Sequence, residues 1–189
     1  HQYLPISFGG LTSGACHAWN HKAARYITLP DAIHRIWLPE QEKLSKLLVN
    51  LGEIPDGVDV GLRNASIFNH LLFWDMRKET IFSKKLTEKQ LGVLQQRLWE
   101  LSEEIDVVPT TLVSNELSNA LSMAIHSLDR LAVFRGYSNH ARDPKKTIRD
   151  IIAQHRILWK MRNRLGVLAE SSSFLHQWFG CSCSSWNNC

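Results

Sequence analysis

Three runs of leucine and isoleucine at heptad spacing, joined by short links, confine most of this chain to one kind of architecture. Leu91, Leu94, Leu98, Leu101 and Ile105 recur at the three- and four-residue steps that place side chains on one stripe of an α-helix. Thr87 stands where an N-cap belongs, and Gln90 follows at the position that completes a capping box. Pro109-Thr110-Thr111 then turns the chain into a second stripe, Leu117, Leu121, Ala124, Leu128 and Leu131, closed by Gly136. The third starts at Asp143-Pro144, a cap followed by a first-turn proline, and runs through Ile148, Ile151, Ile152, Leu158 and Leu165 to about Glu170. Short links hold consecutive helices antiparallel, so the expectation is a mainly α, up-and-down helical bundle whose stripes face one another.

Upstream, Leu29-Pro30-Asp31 predicts a short helix through about Arg35. Leu38-Pro39-Glu40 predicts a second, with Leu44, Leu47, Leu48 and Leu51 on one face and Gly52 as its stop. The turn residues Pro55, Asp56, Gly57 and Gly61 mark Ile54 to Arg63 as a loop, and Ser66 to Met76 reads as a buried helix. The N-terminal part differs in kind: Leu4 to Ala18 carries no charge and holds Gly9, Gly10 and Gly14, and Tyr3 to Phe8 reads as one short buried strand. A lone strand leaves its backbone groups unpaired, and the sequence offers no partner for it. An orphan strand of this kind is what a larger sheet or barrel severed just before it would leave, and a chain that opens on His1 is expected to derive from something longer. The expected organisation is a barrel-end strand and turn segment over 1–28, a helical domain over 29–180 and a disordered tail over 181–189.

Charge excludes some functions. The 22 basic and 18 acidic residues are interspersed, as on solvated helix faces, and the net charge of +4 is concentrated nowhere beyond Lys84-Lys85 and Arg142 to Lys146. A nucleic-acid partner needs a basic stripe, so none is expected. No run approaches the roughly 20 apolar residues of a membrane span, and no signal-peptide pattern opens the chain. Cys181, Cys183 and Cys189 lack a fourth ligand for a zinc site; a mobile tail or a disulfide accounts for them as well. Asn64-Ala65-Ser66 is a glycosylation acceptor only in a secreted eukaryotic chain. Neither a metal nor a cofactor is expected.

Among chemistry-bearing residues, Glu103, Glu104, Asp106 and Glu116 sit on or beside helices, where carboxylates are ordinarily solvated. His17 and His21 have the spacing of a helical metal-binding pair, but no glutamate lies between them to serve as a general base. His155 falls on the apolar side of the third helix, as a satisfied core histidine would. Arg162 and Asn163, with Arg164, come where the apolar stripe should continue and read as a structural polar cluster. A buried arginine requires a partner, so an ion pair or carbonyl cap is favoured over ligand contact. Trp19 has two open readings, a ring stacked on a sugar or a core side chain.

Several stretches together resemble the end of the barrel and the region C-terminal to it in divergent bacterial members of the β-N-acetylhexosaminidase family of glycoside hydrolases. They are Gly9-Gly10 through Ala18-Trp19-Asn20, Ile27 to Ala32, Asn64 to Phe68, and the closing Trp159-x-x-Arg162-Asn163-Arg164-Leu165-Gly166-Val167-Leu168-x-x-Ser171. The resemblance implies a (β/α)8 barrel with its site at the C-terminal strand ends, where such barrels place their chemistry, and makes Tyr3 to Phe8 the last strand of a truncated β/α barrel. It also implies an aspartate–glutamate pair on a middle strand, with the substrate's acetamido group as nucleophile. This sequence has no such pair in strand context and lacks the Trp-Gly-Glu found at the last strand end of better-known members. The function so implied is that of a non-catalytic helical C-terminal portion of a glycosidase acting on N-acetylhexosaminides. Its partner would be an N-terminal catalytic barrel or another subunit, with carbohydrate at Trp19 and Asn20. The alternative is a non-enzymatic protein–protein interaction module whose heptad seams engage another helix, which an exposed leucine face would favour.

Overall fold

The computed structural model describes residues 3–20, 22–58, 66–73, 85–137 and 144–162, and every regular element among them is helical. In chain order these are α1 (Phe8–Asn20), α2 (Leu29–Trp37), α3 (Glu42–Glu53), α4 (Ile67–Leu72), α5 (Glu88–Asp106), α6 (Leu112–Phe134) and α7 (Pro144–Arg162). Short 3₁₀ turns occupy Leu4–Ser7, Ala23–Tyr26 and Ile54–Gly57.

Local chemistry sets the ends of the long helices. Thr87 Oγ1 accepts from the Gln90 amide at 3.3 Å and Gln90 Oε1 accepts from the Thr87 amide at 3.0 Å, so the expected capping box opens α5. Thr111 and Ser114 form the same reciprocal pair at the start of α6, and Thr111 Oγ1 donates to Gln41 Oε1 at 3.2 Å, tying α6 to the N-cap of α3. At the other end of α6, Gly136 adopts φ 71°, a conformation glycine alone takes without strain. Its amide donates to Val133 O and that of Tyr137 to Ala132 O, the paired bonds that satisfy a helix's last carbonyls.

The N-terminal strand is not present. Tyr3 is extended, Leu4–Ser7 make a 3₁₀ turn, and Phe8 continues directly into α1. Pro5 in the first turn has no amide proton to pair, and Tyr3 O accepts from the Ile6 amide at 3.0 Å. Such a turn satisfies its backbone locally and removes the need for a partner strand. Other boundaries shift less. The chain bends at Pro39 and Glu40, so α3 starts at Glu42 and runs through Gly52 to Glu53. Ser66 caps α4, which ends at Leu72 with Phe73 as its C-cap, short of the expected Met76, while the expected end of α7 at Glu170 lies outside the described residues.

The leucine stripes close on one another. Leu91, Leu94 and Leu98 of α5 and Leu117, Leu121 and Leu128 of α6 are buried in a core that also takes Phe8, Ile33, Leu44 and Leu47, so residues on both sides of position 28 share it. Ile148, Ile151 and Ile152 of α7 form a smaller cluster with Leu72 of α4. Helix α6 is the hub, packed against α4, α5, α7 and the Leu4–Ser7 turn. Polar links show the helix directions in the bundle: Gln95, early in α5, reaches Asp129, late in α6, and Glu116, early in α6, reaches Arg162 at the end of α7. Both neighbouring pairs are therefore antiparallel. No helix among the described residues is long and apolar enough to cross a membrane.

Leu128 is fully enclosed at the centre of this hub. Leu128→Ala is expected to lower unfolding free energy by about 2 to 5 kcal/mol, since the rigid neighbours collapse only partly onto the cavity. Urea denaturation followed by far-ultraviolet circular dichroism measures it.

Candidate functional site

The most concentrated polar chemistry lies between α6 and α7. Positions 155, 159 and 162 share one face of α7, and positions 116 and 119 share one face of α6. Across this seam Arg162 forks onto Glu116, with Nε to Oε1 at 2.5 Å and Nη2 to Oε2 at 2.8 Å. The Glu116 residue is 1% exposed while the Arg162 side chain is 28% exposed, so a nearly dry carboxylate meets a cation that keeps some water.

One helical turn further along, Asn119 Nδ2 donates to the Tyr3 hydroxyl oxygen at 2.6 Å, and that hydroxyl lies 2.9 Å from His155 Nδ1. With the Tyr3 oxygen already accepting from Asn119, its proton is directed to Nδ1, which assigns the His155 proton to Nε2. The Tyr3 and His155 rings are tilted at 5.6 Å between centroids, and Trp159 continues the column at 5.5 Å from His155. Tyr3, Asn119 and His155 are all buried. Burial drives the Tyr3 pKa well above the usual phenol range and pushes that of His155 down, so both stay neutral near pH 7.

A second polar set lies along the other faces of α6. Gln95 Nε2 donates to Asp129 Oδ1 at 2.8 Å across the α5–α6 seam. Arg130 Nη1 donates to Leu72 O at 2.8 Å and to Leu71 O at 3.4 Å, placing a cation on the last carbonyls of α4, the negative end of that helix. His126 is buried nearby, and burial followed by the Arg130 charge lowers its pKa to about 3.

In neither set do the described contacts present a reactive group to solvent. Both Glu116 oxygens are engaged by Arg162, and the Tyr3–His155 pair is sealed beneath the N-terminal turn. The arrangement clamps helices; it does not offer an acid and a base to a substrate. Among the described residues there is no group of three or more His, Cys, Asp or Glu side chains placed to hold a metal.

The residues singled out from the sequence therefore separate. Arg162 joins Glu116, which was expected to be solvated and is instead the buried partner; a carboxylate is kept inside when a cation forks onto it. His155 has a core partner in Tyr3. Trp19 stands near the C-terminal end of α1, 93% exposed, with Asn20 exposed beside it, so the core reading of Trp19 is excluded and its place is a helix end rather than a strand end. His17 Nδ1 bonds back to Ser13 O at 2.8 Å, while His21, Asn163 and Arg164 lie outside the described residues, as do the three C-terminal cysteines. Sequence reasoning missed Tyr3, Asn119, Gln95, Asp129 and Arg130. The available signal was charge density: α6 carries only Glu116, Asp129 and Arg130 as charged residues, the mark of a helix enclosed on most sides.

No protein-family model matches this chain, and no curated protein or solved structure matches it either.

Arg162→Leu is expected to cost about 3 kcal/mol by stranding Glu116, whereas adding Glu116→Leu should recover most of the loss, because a buried pair replaced on both sides strands no charge. Chemical denaturation of the two single variants and the double variant tests this; equal losses in all three contradict it. Acid should also destabilise the fold. Because the folded-state pKa values of His126 and His155 lie below the ordinary value of 6.5, their contribution is complete above pH 6.5 and declines as pH falls towards the folded values, about 3 for His126. Each histidine steepens the fall by up to about 1.4 kcal/mol per pH unit, and His126→Gln should flatten the curve of stability against pH between 6.5 and 4.

Proposed function

We propose that this chain is a non-catalytic helical module, the C-terminal portion of a glycosidase acting on N-acetylhexosaminides, and that it contributes packing surface rather than reacting groups. The carrying observation is the orientation of Arg162. This arginine, part of the Trp159-x-x-Arg162 pattern on which the family resemblance rests, is engaged through Nε and Nη2 by a buried carboxylate between two helices. A motif consumed in helix pairing is what a supporting domain requires, and it leaves hydrolysis to carboxyl groups supplied elsewhere.

A specific observation favours a second reading, a non-enzymatic interaction module. The leucine seams are occupied within the chain and have no face to offer another helix. Of the eleven large apolar side chains exposed among the described residues, however, six belong to the first 37 residues: Leu4, Leu11, Trp19, Tyr26, Ile36 and Trp37. An excess of exposed apolar side chains in one part of the chain is what the interaction-module reading requires.

Hydrolysis of a chromogenic N-acetyl-β-glucosaminide, assayed on the 189-residue chain and on the native product from its source, tests the first reading. The native product should be heavier than 21.7 kDa and active, and the 189-residue chain inactive. Turnover by the 189-residue chain itself overturns the non-catalytic assignment, and an inactive native product of 21.7 kDa overturns the glycosidase one.

A further inference from the structure

Helix α1 has an unusual outer surface. Between Phe8 and Asn20 it contains no Asp, Glu, Lys or Arg, and only Phe8 and Thr12 are buried. The buried side is fixed by α2: the Phe8 and Trp37 rings stack at 4.7 Å, and Trp37 Nε1 donates to Thr12 Oγ1 at 2.9 Å. Around the rest of the helix two rows run side by side at four-residue steps. Leu11, Ala15 and Trp19 form a ridge, with Leu11 48% exposed and Ala15 open to solvent. Gly10, Gly14 and Ala18 form the adjacent row, and a Cβ added at Gly10 or Gly14 would meet nothing within 4 Å, so this row is an open groove.

We propose that this face pairs with the same face of a second copy of the chain. The argument is self-complementarity. A two-fold interface uses one surface twice, so that surface must contain both the projection and the recess that receives it. Here both lie on one helix, in rows of the same inclination, the geometry in which ridges of two helices enter each other's grooves. Helix α1 carries no Asp, Glu, Lys or Arg that would repel its counterpart, and the nearest exposed cations in the chain, Lys22, Arg25 and Arg35, lie outside it.

Area supports the same partner. Trp19 and Tyr26 are 93% and 92% exposed, and two such rings together offer roughly 400 Å², about half of the roughly 800 Å² that each partner contributes to a standard interface. Leu4, Ile36 and Trp37 are further large apolar side chains left exposed in the same part of the chain. The pairing rests on the reading of this chain as a packing module and names the occupant of its N-terminal face.

Sedimentation equilibrium of the complete 189-residue chain tests it. The expected mass at micromolar concentration is twice 21.7 kDa. Gly14→Leu, which fills the groove where the monomer has open space, and Trp19→Asp, which charges the ridge, should each give a monomer with unchanged circular dichroism, and with an unfolding midpoint that no longer rises with protein concentration as that of the dimer does. Gly14→Ala keeps the row small and should stay dimeric. A wild-type chain that remains monomeric up to about 100 μM, beyond the affinity range of interfaces of this size, overturns the proposal, as does a dimer indifferent to both disruptive variants. A monomeric result leaves the module reading untouched, since that depends on the glycosidase assay.

Discussion

Enclosure of α6 is the constraint on which the other elements depend. A helix packed against α4, α5, α7 and the N-terminal turn buries many of its polar side chains, and those too long to bond back to their own helix must be paired with groups on a neighbour. Glu116 takes Arg162 from α7, Asn119 takes Tyr3 from the N-terminal arm, Asp129 takes Gln95 from α5, and Arg130 takes the closing carbonyls of α4. Apolar burial is non-directional and would tolerate α5 or α7 slipping by a turn along α6. The polar pairs would not, because a slip strands a buried charge or amide. Leucines supply most of the cohesion, and these pairs select one register.

The Tyr3 contact extends that logic to the first element of the fold. A 3₁₀ turn of four residues has little stability of its own, yet the Tyr3 hydroxyl is held between Asn119 and His155, two residues on different helices. Held there, the turn delivers Phe8 into the core and fixes the start of α1, while α2 holds the same end through the Phe8–Trp37 stack. The second half of α1 extends past this support and carries Trp19 into solvent on a helix whose beginning is anchored. An exposed aromatic on an anchored helix is presented at a defined position, which is what recognition by a partner needs.

How far the sequence could be read depends on the range of each interaction. Caps and seams are local: Thr87 with Gln90, the turn at Pro109 to Thr111, Gly136 and the buried leucines of α5 and α6 lie within a turn or two of the backbone they control, and these have the expected roles. The polar partners are distant. Glu116 and Arg162 are 46 residues apart, Tyr3 and Asn119 116, Tyr3 and His155 152. Spacing could show that Arg162 needed a partner without showing which carboxylate would be enclosed with it. The N-terminal error has another source, since a short apolar run has no period that separates strand from helix. Glycines at 9, 10 and 14 lowered the helical preference of the segment, and the packing of Phe8 and Thr12 against α2 overrode that preference.

These two kinds of residue bear differently on function. A buried ion pair recovers little more than its own desolvation, so Glu116 and Arg162 together add less to stability than a well-packed apolar pair of the same volume. What they contribute is specification, and removal of either one is severe while removal of both is mild. A polar pair of that type therefore fixes the register in which its two helices meet. It identifies an architecture. Side chains that the bundle leaves outside are under no such constraint, and six of the eleven large, uncharged and exposed ones among the described residues lie between Leu4 and the end of α2.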